Sequence, residues 1–138
     1  MIKLNMGFGI HPLKGFINLD LPTINWNAPL PIKTRSVDAI TISHSLCYSK
    51  DIYYSFTEIY RILKIGGIVR ITEDNAESKE SKRYGGYPDA ISITGPGITA
   101  CQLGEAGFIV FHCKHNTTYF KDLSLCQVLH FLNLTLFF

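Results

Sequence analysis

Ile2-Lys3-Leu4-Asn5-Met6-Gly7-Phe8-Gly9, followed by Phe16-Ile17-Asn18-Leu19-Asp20, is the stretch on which the reading of this chain turns. It predicts an apolar strand over about Ile2–Met6, a glycine turn, a second strand over Phe16–Asp20, and a carboxylate where that strand ends. Open α/β sheets build nucleotide pockets in this way. Glycine has no Cβ to keep the backbone away from a ligand, and an acidic residue ending the next strand can accept from ribose hydroxyls. A glycine pair alone is also what an ordinary tight turn uses. The pair joined to a strand-end carboxylate is what points to an adenosine-containing cofactor.

A dinucleotide site wants G-x-G-x-x-G with its acidic residue about 20 positions further on. Here Gly7-Phe8-Gly9 is followed by Ile10, His11 and Pro12, and Asp20 comes much sooner. Parallel neighbours usually need about a dozen residues or more between them, so this linker is too short for a long crossover helix. A pyrophosphate seated on a helix N-terminus, and with it a nicotinamide-dependent oxidoreductase, is disfavoured.

The chain has 138 residues, 46% hydrophobic and 17% charged, with a net charge of +2. These values predict one globular domain over residues 1–138 with no electrostatic footprint for nucleic acid. The one basic knot, Lys79, Lys82 and Arg83, is diluted by Glu77 and Glu80. The apolar run from Leu123 to Phe138 is interrupted by Gln127, His130, Asn133 and Thr135. It falls short of the ~20 residues a membrane span needs, and the N-terminus has no continuous apolar leader, so no membrane partner is expected. Cys47, Cys101, Cys113 and Cys126 form no C-x-x-C pair. They read as reduced thiols in a cytoplasmic protein. His112, Cys113 and His115 cluster in sequence, but a strand would turn His112 away from the other two, and no metal site is expected.

Alternation of strands and helices organises the chain. Asp38–Ser43 reads as a short strand. Ile52, Phe56, Ile59 and Leu63 recur at helical spacing over Ile52–Lys64, with Asp51 or Ser49 as cap and Gly66-Gly67 as terminator. Strand Ile68–Ile71 follows. Thr99-Ala100-Cys101-Gln102 resembles a capping box opening a short helix that Gly107 closes. Phe108–Lys114 and Gln127–Phe137 read as two final strands, antiparallel because no helix signal separates them. Leu21–Arg35, rich in proline and asparagine, reads as a loop.

With these elements placed, the string from Leu4 to Asp20 resembles the opening of a class I S-adenosylmethionine-dependent methyltransferase, most similar to a small subgroup with a shortened first crossover. Three further stretches agree in order. Pro29-Leu30-Pro31 with Ser36-Val37-Asp38-Ala39-Ile40 and Ser43-His44-Ser45-Leu46 resembles the subgroup's fourth-strand motif. Glu58–Gly67 is similar to its helix–turn into strand five, and Leu103–Phe108 to its entry to strand six. The chain departs from the pattern at Phe8, at Cys47-Tyr48 and at Ile65.

The resemblance implies a Rossmann-like three-layer α/β sandwich, with a mostly parallel sheet and an antiparallel C-terminal strand. It opens at strand one, without the N-terminal cap helices that often cover the cofactor. The implied function is methyl transfer from S-adenosyl-L-methionine to a small-molecule or sugar-type acceptor. The alternative is a catalytically degenerate binding protein of the same fold. Gly7, Phe8 and Gly9 are implied along the methionine portion, Asp20 on the ribose, Asn27 or Asn25 near the adenine edge, and Ser43 beside them. His44 is the candidate proton acceptor. Glu73, with Lys82 and Arg83 in a lid over 73–97, is the candidate acceptor-binding group. The missing cover and Phe131, Phe137 and Phe138 lead us to expect a homodimer.

Overall fold

The computed structural model describes residues 1–74, 96–115 and 123–129. Its elements are β1 (Lys3–Met6), β2 (Ile17–Leu19), β3 (Val37–Ser43), a 3-10 turn at Leu46–Tyr48, α1 (Ile52–Ile62), β4 (Leu63–Asp74), α2 (Pro96–Glu105), β5 (Ile109–His115) and β6 (Leu123–Leu129). The sheet order is β2-β1-β3-β4-β6-β5. β2, β1, β3 and β4 run parallel, and β6 lies antiparallel between β4 and β5. This is the expected α/β sheet with its antiparallel C-terminal strand.

Side chains alternate across a strand, and here the alternation separates two chemistries. Leu4 and Met6, Ile40 and Ile42, and Val69 and Ile71 are buried on one face. They pack there with Phe56, Ile59 and Ile62 of α1 and Leu103 of α2. Tyr60 meets Phe108 edge-on at a centroid distance of 5.3 Å, tying α1 to the end of α2. In register on the other face stand Asn18, Asn5, Thr41 and Arg70. Both described helices lie on the apolar face.

Asp51 caps α1 by accepting from Tyr54 N at 3.1 Å, as expected. The end of α1 differs from the sequence reading. The helix stops at Ile62, and Arg35 N and Ser36 N donate to the carbonyls of Arg61 and Ile62 at 2.9 Å each. The neighbouring chain thus satisfies carbonyls that a glycine cap otherwise would. β4 starts at once, and Gly66-Gly67 fall inside it, where the register against β3 jumps from Val37↔Leu63 to Ala39↔Ile68. Gly66 takes φ +77°, and a Cβ on Gly67 would press on Asp38 O and Lys64 O. The glycine pair makes a bulge rather than a helix stop.

α2 begins at Pro96, so Thr99 lies within the helix and not at its cap. Proline suits a first helical turn, where its missing N–H is not needed. β6 begins at Leu123, four positions before the expected Gln127, because the run Leu123–Leu129 pairs with β4 along its length. Residues beyond Leu129, and the stretch 75–95 with Lys82 and Arg83, lie outside the described residues.

Leu21–Arg35 forms the loop between β2 and β3 that its composition predicts. It also supplies core. Ile24, Trp26 and Leu30 are buried in it. Glu58 and Arg61 on α1 hold its far half. Arg61 donates to Leu30 O at 3.0 Å, Ile32 O at 2.9 Å and Glu58 Oε1 at 2.8 Å, while Glu58 Oε2 accepts from Leu30 N at 2.8 Å. The Arg61 hydrogen bond, above all, holds the Glu58 carboxyl below the usual range and raises Arg61 in return.

Candidate functional site

The chain leaves β1 toward β2 on one side and returns to β3 on the other. In open α/β sheets this switch point, at the carboxyl ends of the strands, is where ligands bind. Two cavities meet there. The smaller, ≈ 290 Å³, is lined by Gly7, Gly9, Asp20, Asn25, Trp26, Asn27, His44 and Tyr48 among others. The larger, ≈ 760 Å³, is a groove over the polar face and takes in Phe8, Ile10, His11, Ser43, Thr72 and Arg70. Gly7, Gly9 and His44 border both.

Gly7 and Gly9 take φ +69° and +53°, a region that L side chains with a Cβ rarely enter. A Cβ on Gly7 would also collide with the Ser45 side chain. Around Gly9 an added Cβ meets nothing within 4 Å, so the loop opens onto free space there.

Asp20 lies beside this loop as expected. Its Oδ2 accepts from Gly9 N at 2.8 Å and its Oδ1 from Leu21 N at 2.8 Å. A carboxylate offers about four acceptor positions, so each oxygen keeps one for a ribose hydroxyl. The residues fit the adenosine portion of the implied cofactor.

The short first crossover is held by two residues that the sequence reading did not single out. Asn5, only 4% exposed, donates to Asn18 Oδ1 at 2.8 Å and His11 O at 3.2 Å. Asn18 in turn accepts from Leu13 N at 2.8 Å and donates to Leu13 O and Phe16 O at 3.2 Å. The turns close through His11 N to Phe8 O and Phe16 N to Leu13 O. The asparagines supply the hydrogen bonds that a crossover helix would make internally. Their signal was in the sequence: each sits between two apolar residues of a strand, where strand periodicity sends it to the opposite face.

His44 follows β3 with φ +50°, which is uncommon outside glycine. The surroundings fix it. His44 N donates to Thr72 O at 2.8 Å, and Glu73 Oε1 accepts from Ser45 N at 2.9 Å and Leu46 N at 2.7 Å. Trp26 Nε1 donates to Ser45 Oγ at 2.7 Å. Glu73, expected to face an acceptor, thus braces the turn that carries His44. Strain of this kind survives where neighbours over-determine it, and it clusters at functional sites.

Asn27 lines the smaller cavity, but Oδ1 accepts from Lys50 N at 2.7 Å and Nδ2 donates to Tyr48 O at 3.3 Å. Its amide clasps the turn after Tyr48, and Asn25 Oδ1 accepts from Asn27 N at 3.0 Å. Ser43 stands exposed at the end of β3 and lines the groove. The structure therefore brings together Gly7, Phe8, Gly9, Asp20, Asn27, Ser43, His44 and Glu73. Among the described residues no cluster of three or more His, Cys, Asp or Glu could hold a metal ion. No described helix is long and apolar enough to cross a membrane.

Comparison with known proteins agrees with this fold. A methyltransferase domain family model matches residues 19–71, from the end of β2 into β4. A methyltransferase of Haloferax volcanii, solved in complex with the Trm112 methyltransferase activator, superposes with a TM-score of 0.74 at 13% identity, covering 96% of this chain and 82% of its own. An S-adenosylmethionine-dependent methyltransferase from Thermotoga maritima gives 0.69 at 18% identity, covering 93% and 81%. One from Mesorhizobium loti gives 0.69 at 12%, covering 94% and 90%. No curated protein matches the chain by sequence. The chain has the fold of these S-adenosylmethionine-dependent methyltransferases, and the part of it over residues 19–71 matches a methyltransferase domain family model.

Proposed function

We propose that the protein transfers a methyl group from S-adenosyl-L-methionine to a small-molecule acceptor. The observation that carries this is the meeting of two cavities at one glycine loop, with Asp20 beside one and His44 bordering both. In this reading the smaller cavity takes the adenosine, with Asp20 on the ribose. Gly7, Phe8, Gly9 and Ser43 would hold the cofactor's methionine portion. When bound, the cofactor would supply an activated sulfonium methyl group for transfer. The protein's share is position and electrostatics. His44 takes the acceptor's proton, and Glu73 holds the turn that aims it.

Calorimetry with S-adenosylhomocysteine tests the assignment. Asp20→Ala should weaken binding by about 1.5–3 kcal/mol, the cost of losing hydrogen bonds to a charged group. Unchanged affinity removes Asp20 from the site. Tighter binding of NAD than of S-adenosylhomocysteine by the wild type overturns the assignment. A second reading, a binding protein without catalysis, draws support from Asp20 and Asn27 both being bonded within the chain. Tight S-adenosylhomocysteine binding with no methyl transfer to any acceptor class would select it.

A further inference from the structure

Arg70 belongs to β4, on the polar face, in register with Thr41 of β3. It is exposed, and among the described residues it has no ion-pair partner. The larger groove runs over it. Arg70 is the one permanently charged side chain among the described residues that line this groove, and none of those residues is a carboxylate. The smaller cavity has the opposite character, with Asp20 as its formal charge. Two joined cavities thus carry opposite signs on either side of His44.

Hydroxyl-bearing residues neighbour Arg70 on this face of the sheet. Thr41 stands opposite it, and Thr72 follows two residues along the same face, paired in turn with Ser43. A planar guanidinium flanked by hydroxyl donors suits a carboxylate, which it can bind with two parallel hydrogen bonds. The strand sets how far apart the backbones of Arg70 and the residue meeting His44 lie. Two residues of β4 span roughly 7 Å, and Thr72 O at the far end of that step accepts from His44 N. Phe8 and Leu13 give the groove an apolar wall.

The geometry points to a small carboxylate-bearing acceptor lying along this groove, its carboxylate on Arg70 and its nucleophile toward His44, as in an aromatic hydroxy acid. This deepens the proposed function and rests on it for the identity of the nucleophile's partner. The binding of the anion itself does not depend on that reading.

The test uses the full chain, wild type and Arg70→Gln, with 4-hydroxybenzoate and its uncharged analogue 4-hydroxybenzamide as probes and S-adenosylhomocysteine titrated separately. The wild type should bind the carboxylate at least roughly tenfold more tightly than the amide, and Arg70→Gln should abolish that preference. Shift perturbations at Thr41 and Thr72 should accompany carboxylate binding in NMR spectra. S-adenosylhomocysteine affinity should be the same in both proteins. Equal binding of the two probes by the wild type overturns the inference, as does a preference that survives in Arg70→Gln. Loss of S-adenosylhomocysteine binding in Arg70→Gln also overturns it, since Arg70 would then hold the cofactor's own carboxylate. If no cofactor binds but the Arg70-dependent carboxylate preference is present, the methyltransferase reading fails and this inference stands.

Discussion

The two faces of the sheet are built by the same strands and have opposite duties. On one, Leu4, Ile40, Ile42, Val69 and Ile71 disappear under α1 and α2. On the other, Asn5 and Asn18 brace the glycine loop, and Thr41 and Arg70 line a groove. The buried face supplies most of the free energy that orders the chain, because burial of apolar surface is the dominant favourable contribution. The polar face spends its side chains on hydrogen bonds and open surface. Stability and site are thereby separated by a period of two in the sequence, and substitutions should sort by face.

The largest effect should come from the buried side. Phe56, fully buried between helix and sheet, changed to Ala should cost about 3–5 kcal/mol in chemical denaturation. A loss below 1 kcal/mol would mean that α1 does not seal this face.

Gly7→Ala comes next, at the boundary of the two faces. Left-handed backbone costs a residue with a Cβ roughly 1–2 kcal/mol, and crowding against Ser45 adds about 1–3 kcal/mol. Denaturation should show the sum. Gly9→Ala, with the same sign of φ but open space around it, should show only the backbone part. Equal losses would remove the close approach of Gly7 to Ser45 as a cause.

A smaller effect concerns acid. Glu58 is held below its ordinary range by Arg61 and by Leu30 N, so as pH falls the unfolded chain takes up this proton first. The stabilisation is complete above roughly pH 4.3 and is lost as pH drops through the lower folded value. Thermal melts of Glu58→Gln against wild type should therefore differ near neutrality and converge in acid. A difference that grows on acidification would reverse the sign and break the assignment.

The smallest effect on stability belongs to the open face. Arg70→Gln should change unfolding free energy by no more than about 0.5 kcal/mol. A larger loss in denaturation would show that the polar face also carries the fold.

Much of the fold was legible because its signals are local. The glycine turn with Asp20, the strand of Asp38–Ser43 and the Asp51 cap each depend on a few neighbouring residues, and the structure has all three. The errors arose where distant chain decided. Gly66-Gly67 looked like a helix terminator, yet Arg35 N and Ser36 N already satisfied the helix end, freeing the pair to make a bulge against β3. Glu73 looked like a group facing an acceptor, yet the backbone of Ser45 and Leu46 claimed it. The loop expected over Leu21–Arg35 is present, but only the structure shows that its Trp26 is buried with its indole on Ser45.

By itself, then, the sequence determined the elements, the class of fold and the place of the glycine–carboxylate pair, since periodicity and turn chemistry act between near neighbours. Only the tertiary structure decided that Asn5 and Asn18 replace a crossover helix, that Glu73 and Trp26 fix the turn bearing His44, and that Arg70 lines the groove beyond it. Those roles arise from hydrogen bonds and register between strands far apart along the chain, and nothing in a local pattern encodes which partner a polar side chain will find.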